Sequence, residues 1–509
     1  MNRLKVIDWV KIKYVLRGVL VGGVAGVIVS AFRMAIYTLL NFMPAVYEYL
    51  KVNPAWVALW SIIILLITIT VIRLTQNEPN IQGNGVAELK GQLQGTLKLD
   101  WFSVLWRKFI GSVLVLGLGI PVGQEGPAIQ IGGVVGQGVN TLLKGNKSQE
   151  NIFISSGAAA GLAAAFNAPL SAFVLVLEEI HHRFSNILIL TVFSASITAS
   201  FLSYSIFGSE PAIDLGPTVV FPLENYFYLA GLGALLGVGG WIFQRGIFKW
   251  TPKFYEKLPI PYYVRGFLPF ILLILIGLFW TDMLGGGTSV IATIANERFS
   301  TVLLLGILVF RFLTFNLSFG SGIPGGALVP SLAFGAILGA IYGNIAMDLT
   351  GLEDPYVRNF VIYGMGGFFT ATTKAPLTGI VLITELTGSM NQLMPISIVC
   401  LAAYVISDML RVEPTDEITL FNKIKHLPTV FKGEIAHTEI VVEFDSALDG
   451  IRMSEFDLPY NSKVLKVRRQ DKEFLPHKQI KLLPGDEIQI ACDAGFLTEV
   501  DRYLDNIRR

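Results

Sequence analysis

The residues of this chain that could do chemistry concentrate in Gly119–Gly133, which reads GIPVGQEGPAIQIGG. One carboxylate, Glu125, stands inside a turn built from Gly119, Gly123, Gly126, Gly132, Gly133, Pro121 and Pro127. Pro127 fits the first turn of a helix, where its missing N–H costs nothing. A helix opening there aims free N–H groups and the positive end of its dipole at whatever precedes it, which favours an anion. The glycines let another backbone or an ion come close. Glu125, at the mouth of this helix, can compete with a dissolved anion when ionised and withdraw when protonated. The same spacing also fits a broken helix whose Glu faces water at a membrane edge. There is no phosphate loop of the Walker kind, no His-Glu-x-x-His and no Ser-His-Asp set arguable from spacing, so an enzyme is not expected. Cys400 and Cys492 fall in different regions and read as unpaired thiols. Neither a metal nor a cofactor is expected.

The elements that must hold this stretch are apolar. Of 509 residues, 52% are hydrophobic and only 15% are charged, against about 25% charged in a soluble domain. Mean hydropathy is +0.58. The runs Val15–Leu40, Trp56–Ile72, Asn186–Ile206, Gly266–Trp280 and Leu393–Ile406 approach or exceed the roughly 20 residues that span a bilayer. A polytopic α-helical membrane protein follows. The net charge of +1 gives no reason to expect a nucleic-acid partner. The first apolar run is too long for a cleavable signal peptide and lacks a small-residue cleavage pattern. Arg3, Lys5, Lys11, Lys13 and Arg17 against a single Asp8 predict a cytoplasmic N-terminus. The basic loop Arg245–Lys257 reads as cytoplasmic, and the acidic Gly208–Asn225 as exported.

Two internal echoes predict a pseudo-symmetric pair of halves, as in transporters whose site lies at the repeat interface. Asn167–Glu179 (NAPLSAFVLVLEE) aligns without gaps on Lys374–Leu386 (KAPLTGIVLITEL). Gly119–Gly133 matches Gly320–Gly335 (GSGIPGGALVPSLAFG) in its Gly-Ile-Pro and later Pro. The composition changes after Leu410. Residues 1–410 read as the membrane part, 411–430 as a polar linker and 431–509 as a small soluble α/β domain. In that domain Thr438–Phe444, Lys463–Arg468 and Glu487–Ala491 read as strands, Leu483–Asp486 as a turn and Phe496–Ile507 as an amphipathic helix.

These motifs together resemble the CLC family of chloride channels and chloride/proton antiporters, over most of residues 80–410. Gly123-Gln-Glu-Gly-Pro127 is similar to the family's GREGP signature and Gly325-Gly-Ala-Leu-Val-Pro330 to its GGIFAP signature. Gly83-Asn-Gly-Val-Ala87 resembles GSGIP less closely, and Asn167–Glu179 resembles the helix that ends in a Glu-Glu pair. The tail resembles the RCK C-terminal (TrkA-C) regulatory domain in its strands, Leu458-Pro459, Val464, Val467, Arg469 and the Leu483–Asp486 turn. The resemblance implies an inverted-repeat CLC-like fold plus a small RCK C-terminal-like domain. It also implies a homodimer in the cell membrane, with one ion pathway per subunit and a cytoplasmic tail.

What the resemblance implies for single residues is specific. Glu125 would be the external gating and proton glutamate, and Glu179 the internal proton-transfer glutamate. Asn84, Gly123, Gln124, Gly126 and the N–H groups of Ala327 and Leu328 would bind the anion. Channels of the family usually lack an acid at the position of Glu179, so coupled exchange of chloride for protons is expected. A passive chloride channel and a fluoride-selective exchanger are the alternatives, the latter motivated by Asn84 and by a missing tyrosine. Glu179 also reads as an acid at a helix end near His181, His182 and Arg183. A different class is a sensor whose tail binds a nucleotide such as cyclic di-AMP and gates the membrane part. The chain departs from the pattern at Asn84 (usually Ser), Ala87 (Pro) and Gln124 (Arg). It also has Thr415, Asp416 and Glu417 after Pro414, where an anion-coordinating Tyr is usual. The expectation there is a solvated acidic linker, with no fourth ligand assigned.

Overall fold

The structure, a computed structural model, describes residues 9–181, 185–208, 211–213, 215–259, 261–350, 356–425, 435–442, 446–460, 462–469, 472–477, 479–493, 496, 500, 503–504 and 507. Its helices are α1 (Trp9–Val52), α2 (Trp56–Asn77), α3 (Val86–Gln94), α4 (Trp101–Gly117), α5 (Glu125–Leu142), α6 (Lys147–Phe166), α7 (Pro169–Leu175), α8 (Asn186–Phe207) and α9 (Tyr226–Arg245). They continue as α10 (Thr251–Lys257), α11 (Phe267–Phe279), α12 (Thr288–Asn296), α13 (Thr301–Gly320), α14 (Leu328–Thr350), α15 (Tyr356–Thr373), α16 (Pro376–Thr387), α17 (Leu393–Met409) and α18 (Thr415–Lys425). Among the described residues, seven helical stretches are long and apolar enough to cross a membrane. The expected span at Gly266–Trp280 is shorter than that, because α11 holds only 13 residues. Side chains in the sequence mark several starts. Asp100 accepts from the N–H groups of Phe102 and Ser103, Asn146 from Gln149, Ser185 from Leu188 and Ser300 from Leu303.

The chain divides into two compact units, Met1–Val86 with Asp100–Asp416, and Ala87–Leu99 with Glu417–Arg509. The first unit is a pair of related halves. Placing Gly119-Ile-Pro over Gly322-Ile-Pro pairs Lys108 with Arg311, Gly123 with Gly326 and Gly132 with Gly335. Each pair plays one role. The buried Lys108 ammonium donates to the carbonyls of Ile81 (2.9 Å) and Gly83 (2.8 Å). The buried Arg311 guanidinium donates to those of Met283 and Gly285, both at 3.0 Å. α5 lies against α6, and α14 against α15, at glycine contacts. A Cβ on Gly132 would collide with the Gly157 carbonyl, and one on Gly335 with the Gly364 carbonyl. Without water to drive helices together inside a bilayer, such close backbone packing supplies the attraction.

The Ala-Pro-Leu echo has a matching role. Proline opens both α7 and α16, and each helix N-terminus is capped by the aligned glutamate of the other copy. Glu178 accepts from the N–H groups of Leu377 (3.0 Å) and Thr378 (2.7 Å) and from the Thr378 hydroxyl (2.7 Å). Glu385 accepts from Leu170 (3.1 Å) and Ser171 (2.7 Å) and from the Ser171 hydroxyl. Ser171 and Thr378, aligned in sequence, thus have one function: a second donor to the exchanged cap.

The second unit contains an antiparallel sheet of β1 (Ile435–Val441), β2 (Lys463–Arg469), β3 (Lys472–Phe474) and β4 (Glu487–Asp493), in the order β1-β4-β2-β3. The second and closing strands stand where the sequence puts them. β1 begins earlier than Thr438, Glu443–Phe444 lie outside the described residues, and β3 was not foreseen. Alternation turns Ile488, Ile490 and Cys492 of β4 into a core with Ile440, Val467 and Leu482. Of the expected helix Phe496–Ile507, only Phe496, Val500, Tyr503, Leu504 and Ile507 are described, and they pack on this core. The segment expected as linker carries α18. Within the second unit, Leu420 packs with Ala87 and Leu97, and the Lys423 ammonium lies 2.7 Å from buried Glu88.

Candidate anion site

Backbone ties bring the three glycine-bearing stretches together. The Gly123 N–H donates to the Gly326 carbonyl (2.7 Å) and the Gly326 N–H to that of Gly123 (2.6 Å). Gly83 donates to Ile323 (3.2 Å), and Gly325 to Gly83 (3.0 Å). Gly123 and Gly326 are equivalent in the two halves, so the site lies where the repeats meet. Their bridge sets the starts of α5 and α14 facing one another, with Val86 at the start of α3 close by.

A narrow cavity of about 40 Å³ opens among these starts, lined by Asn84, Glu125, Glu179, Ala327, Leu328 and Asp416. Organic ligands occupy pockets of roughly 300–1,000 Å³, so this one suits a small ion. The Glu125 Oε1 accepts from the Val329 N–H at 2.8 Å, in the first turn of α14. Its carboxylate therefore stands where an anion held by that helix would stand, and the alternative of a Glu facing water is overturned: Glu125 is buried. Its Oε2 is buried with no hydrogen-bond partner among the described residues.

The other expected residues divide. Gly126 lines the cavity, and the Asn84 amide lies so close over it that any side chain there would collide. Gly123 forms the bridge, and a Cβ on it would strike the Glu125 carboxylate. Ala327 and Leu328 line the cavity, and the backbone N–H groups of Leu328 and of Val329, one residue further on, both face the Glu125 carboxylate. Gln124 is not on the cavity wall; its side-chain amide donates to the Tyr37 hydroxyl (3.3 Å). Glu179 is buried and on the wall. α7 widens into a π-helical turn over Val176–His181. Such turns are frequent at functional positions. Consecutive acids there separate in role: Glu178 caps α16 while Glu179 faces the cavity. The neighbours His182 and Arg183 lie outside the described residues.

Besides Gln124, a further expectation fails. Asp416 is not in a solvated linker. It is buried in the first turn of α18, and its Oδ1 accepts from Asn84 Nδ2 at 2.8 Å. The Thr415 hydroxyl donates to the Thr372 carbonyl at 3.0 Å and pins that helix start. The only signal in the sequence was Pro-Thr-Asp-Glu, a helix-opening pattern read there as polar loop.

A cavity for a small ion among helix starts, between two fused repeats, defines a transport protein of the inverted-repeat kind. Comparison with known proteins makes this specific. Residues 65–408 match the family described as voltage gated chloride channel, and residues 437–505 match the TrkA-C domain. The H(+)/Cl(-) exchange transporter ClcA of Vibrio parahaemolyticus serotype O3:K6 is 32% identical over 418 residues, covering 80% of this chain and 89% of that protein. The H(+)/Cl(-) exchange transporter ClcA of Klebsiella pneumoniae (strain 342) is 30% identical over 419 residues, covering 80% and 88%. The structure of a slow cyanobacterial Cl-/H+ antiporter superposes with a TM-score of 0.77 at 29% identity, covering 81% of this chain and 98% of that one. A CLC-type fluoride/proton antiporter shares the fold, with a TM-score of 0.65 at 22% identity over 80% of this chain and 98% of that one. The chain belongs to the voltage-gated chloride channel (CLC) family, and it is a multi-pass membrane protein with a TrkA-C tail.

Proposed function

We propose that this chain exchanges chloride for protons across the cell membrane. The observation that carries the reading is the Glu125 carboxylate seated on the Val329 N–H, in a small-ion cavity whose wall also holds Glu179. Helix starts and backbone N–H groups attract an anion without a full positive charge, so binding is weak enough to release. Ionised, Glu125 takes the anion's place; protonated, it leaves, and chloride enters. Each departure of Glu125 carries one proton, which is how the two fluxes become coupled. Glu179 exchanges that proton with the other side. Asn84, Gly126, Ala327 and Leu328 complete the anion's surroundings. The exchange names of the relatives and of the cyanobacterial neighbour support the same reading.

The working form is a homodimer with N-terminus and tail in the cytoplasm, supported by the basic residues ahead of the first span. Residues 1–410 carry transport and 431–509 regulate it, with a nucleotide such as cyclic di-AMP as ligand. The test is paired chloride and proton flux from purified protein in liposomes under a chloride gradient, with fluoride and nitrate alongside. Uphill proton movement is expected. Glu125→Ala is expected to abolish proton movement and keep anion flux. Chloride flux without proton movement in the unmodified protein would make it a channel, and proton pumping that survives Glu125→Ala would overturn the role of Glu125.

A further inference from the structure

The cavity holds a contact that the exchange cycle above does not use. Asn84 is a candidate anion donor, yet its Nδ2 is engaged at 2.8 Å by a carboxylate of the chain itself, Asp416. Asp416 is 7% exposed and stands on the wall of the cavity that Glu125 shares. A first-turn acid suits any helix start. That role alone, however, needs neither burial in an ion-sized cavity nor the side-chain amide of Asn84. The titratable groups facing Asp416 across the cavity are Glu125 on α5 and Glu179 on the π turn. α14 and α15 contribute the hydroxyl groups of Ser331, Thr372 and Thr373, and α9 contributes Phe243. Among the described lining residues none is Lys, Arg or His. Nothing cationic on the wall therefore offsets the charge of Asp416.

We propose that Asp416 is a second tethered anion mimic: on the Asn84 side of the pathway it occupies the donor that a dissolved anion would use, and chloride reaches Asn84 only when the Asp416 carboxylate turns away. It blocks its donor as Glu125 blocks the Val329 N–H, from a different helix. Asp416 is thus a specificity-determining residue that weakens anion binding independently of Glu125. This rests on the reading of the cavity as the anion pathway.

The experiment is chloride titration by calorimetry on purified full-length protein, first in the Glu125→Gln background, where the other mimic is uncharged. Adding Asp416→Asn, which keeps an oxygen for the Asn84 amide and removes the charge, should tighten binding at neutral pH roughly tenfold or more, since a like charge within a few ångströms is lost. Glu179 is present in both proteins, so the difference reports Asp416. If Asp416→Asn does not yield folded protein, Asp416→Ser, which retains an oxygen for the first turn of α18, is measured in the same way. Unchanged affinity, or weaker binding, would overturn the proposal and leave Asp416 a helix cap. Failure of the pathway reading looks different: chloride flux would be absent, or Glu125→Gln would leave both chloride binding and proton coupling as in the unmodified protein.

Discussion

A carboxylate oxygen at 2.8 Å from the Val329 N–H gives the helix start the charge and acceptor that a halide would give. The glycine beside it is needed for space, because a Cβ on Gly123 would strike the Glu125 carboxylate. The tail shows the opposite use of a buried carboxylate. Asp486 is fully buried, and its two oxygens accept from Arg469 Nε and an Arg469 terminal nitrogen, both at 2.7 Å, while Leu483 N–H adds a third bond at 2.9 Å. The hydrogen bond to Asp486 raises the Arg469 pKa above its ordinary value. A base whose folded pKa is raised contributes its stability below its unfolded pKa, which for arginine lies far above physiological pH. The pair is therefore intact at every physiological pH. Arg469→Ala leaves an acid buried without its partner. The expected cost is about 2–3 kcal/mol, below that of a fully enclosed pair because the guanidinium is partly exposed. Hydrogen–deuterium exchange of β2 and β4 in the full chain should accelerate, with no change in chloride flux.

At the scale of elements, the exchanged caps tie the halves of the first unit together. Glu178 and Glu385 each satisfy two N–H groups and a hydroxyl at the start of a helix in the other repeat. Removing either leaves those donors without an acceptor, at an expected cost of about 1–3 kcal/mol. Glu178→Ala and Glu385→Ala should lower the melting temperature in detergent by similar amounts, because the two caps are equivalent. A large effect from one and none from the other would show that the halves are not energetically alike. Glu178→Ala has a second expected effect. It frees the π turn that also carries Glu179, so proton coupling should fall more than in Glu385→Ala.

For the whole molecule, the tail has its own core of Ile440, Val467, Ile488 and Ile490. α18 belongs to both stories, since it carries Asp416 at its start and Leu420 and Lys423 further along. A truncation that spares the transport site must leave α18 whole. Ending the chain just after Lys425 should retain coupled flux in liposomes and abolish any response to cyclic di-AMP. Loss of flux on this truncation would mean that the tail is required for transport, and a response that persists would place the nucleotide elsewhere.

Much of this protein is legible in the sequence because its signals are local. Apolar runs, Gly-Pro turns and two aligned segments depend on residues within a few turns of one another, and they sufficed for the membrane class, the repeats, the placing of Glu125 at a helix start and two strands of the tail. The repeat alignment even placed Glu178 on Glu385, although not their exchange. What the sequence did not disclose is the partner of each group. Lys108 and Arg311 stand in helices whose sequence holds no acid to pair with them, and only the fold puts backbone carbonyls against them. Asp416 read as a solvated acid because its burial depends on Asn84, far away in the chain, and on Thr372 holding the start of α18. Local chemistry makes an element, whereas whether a charge is paired, buried or facing an ion depends on contacts between distant segments, and those exist only in the folded chain.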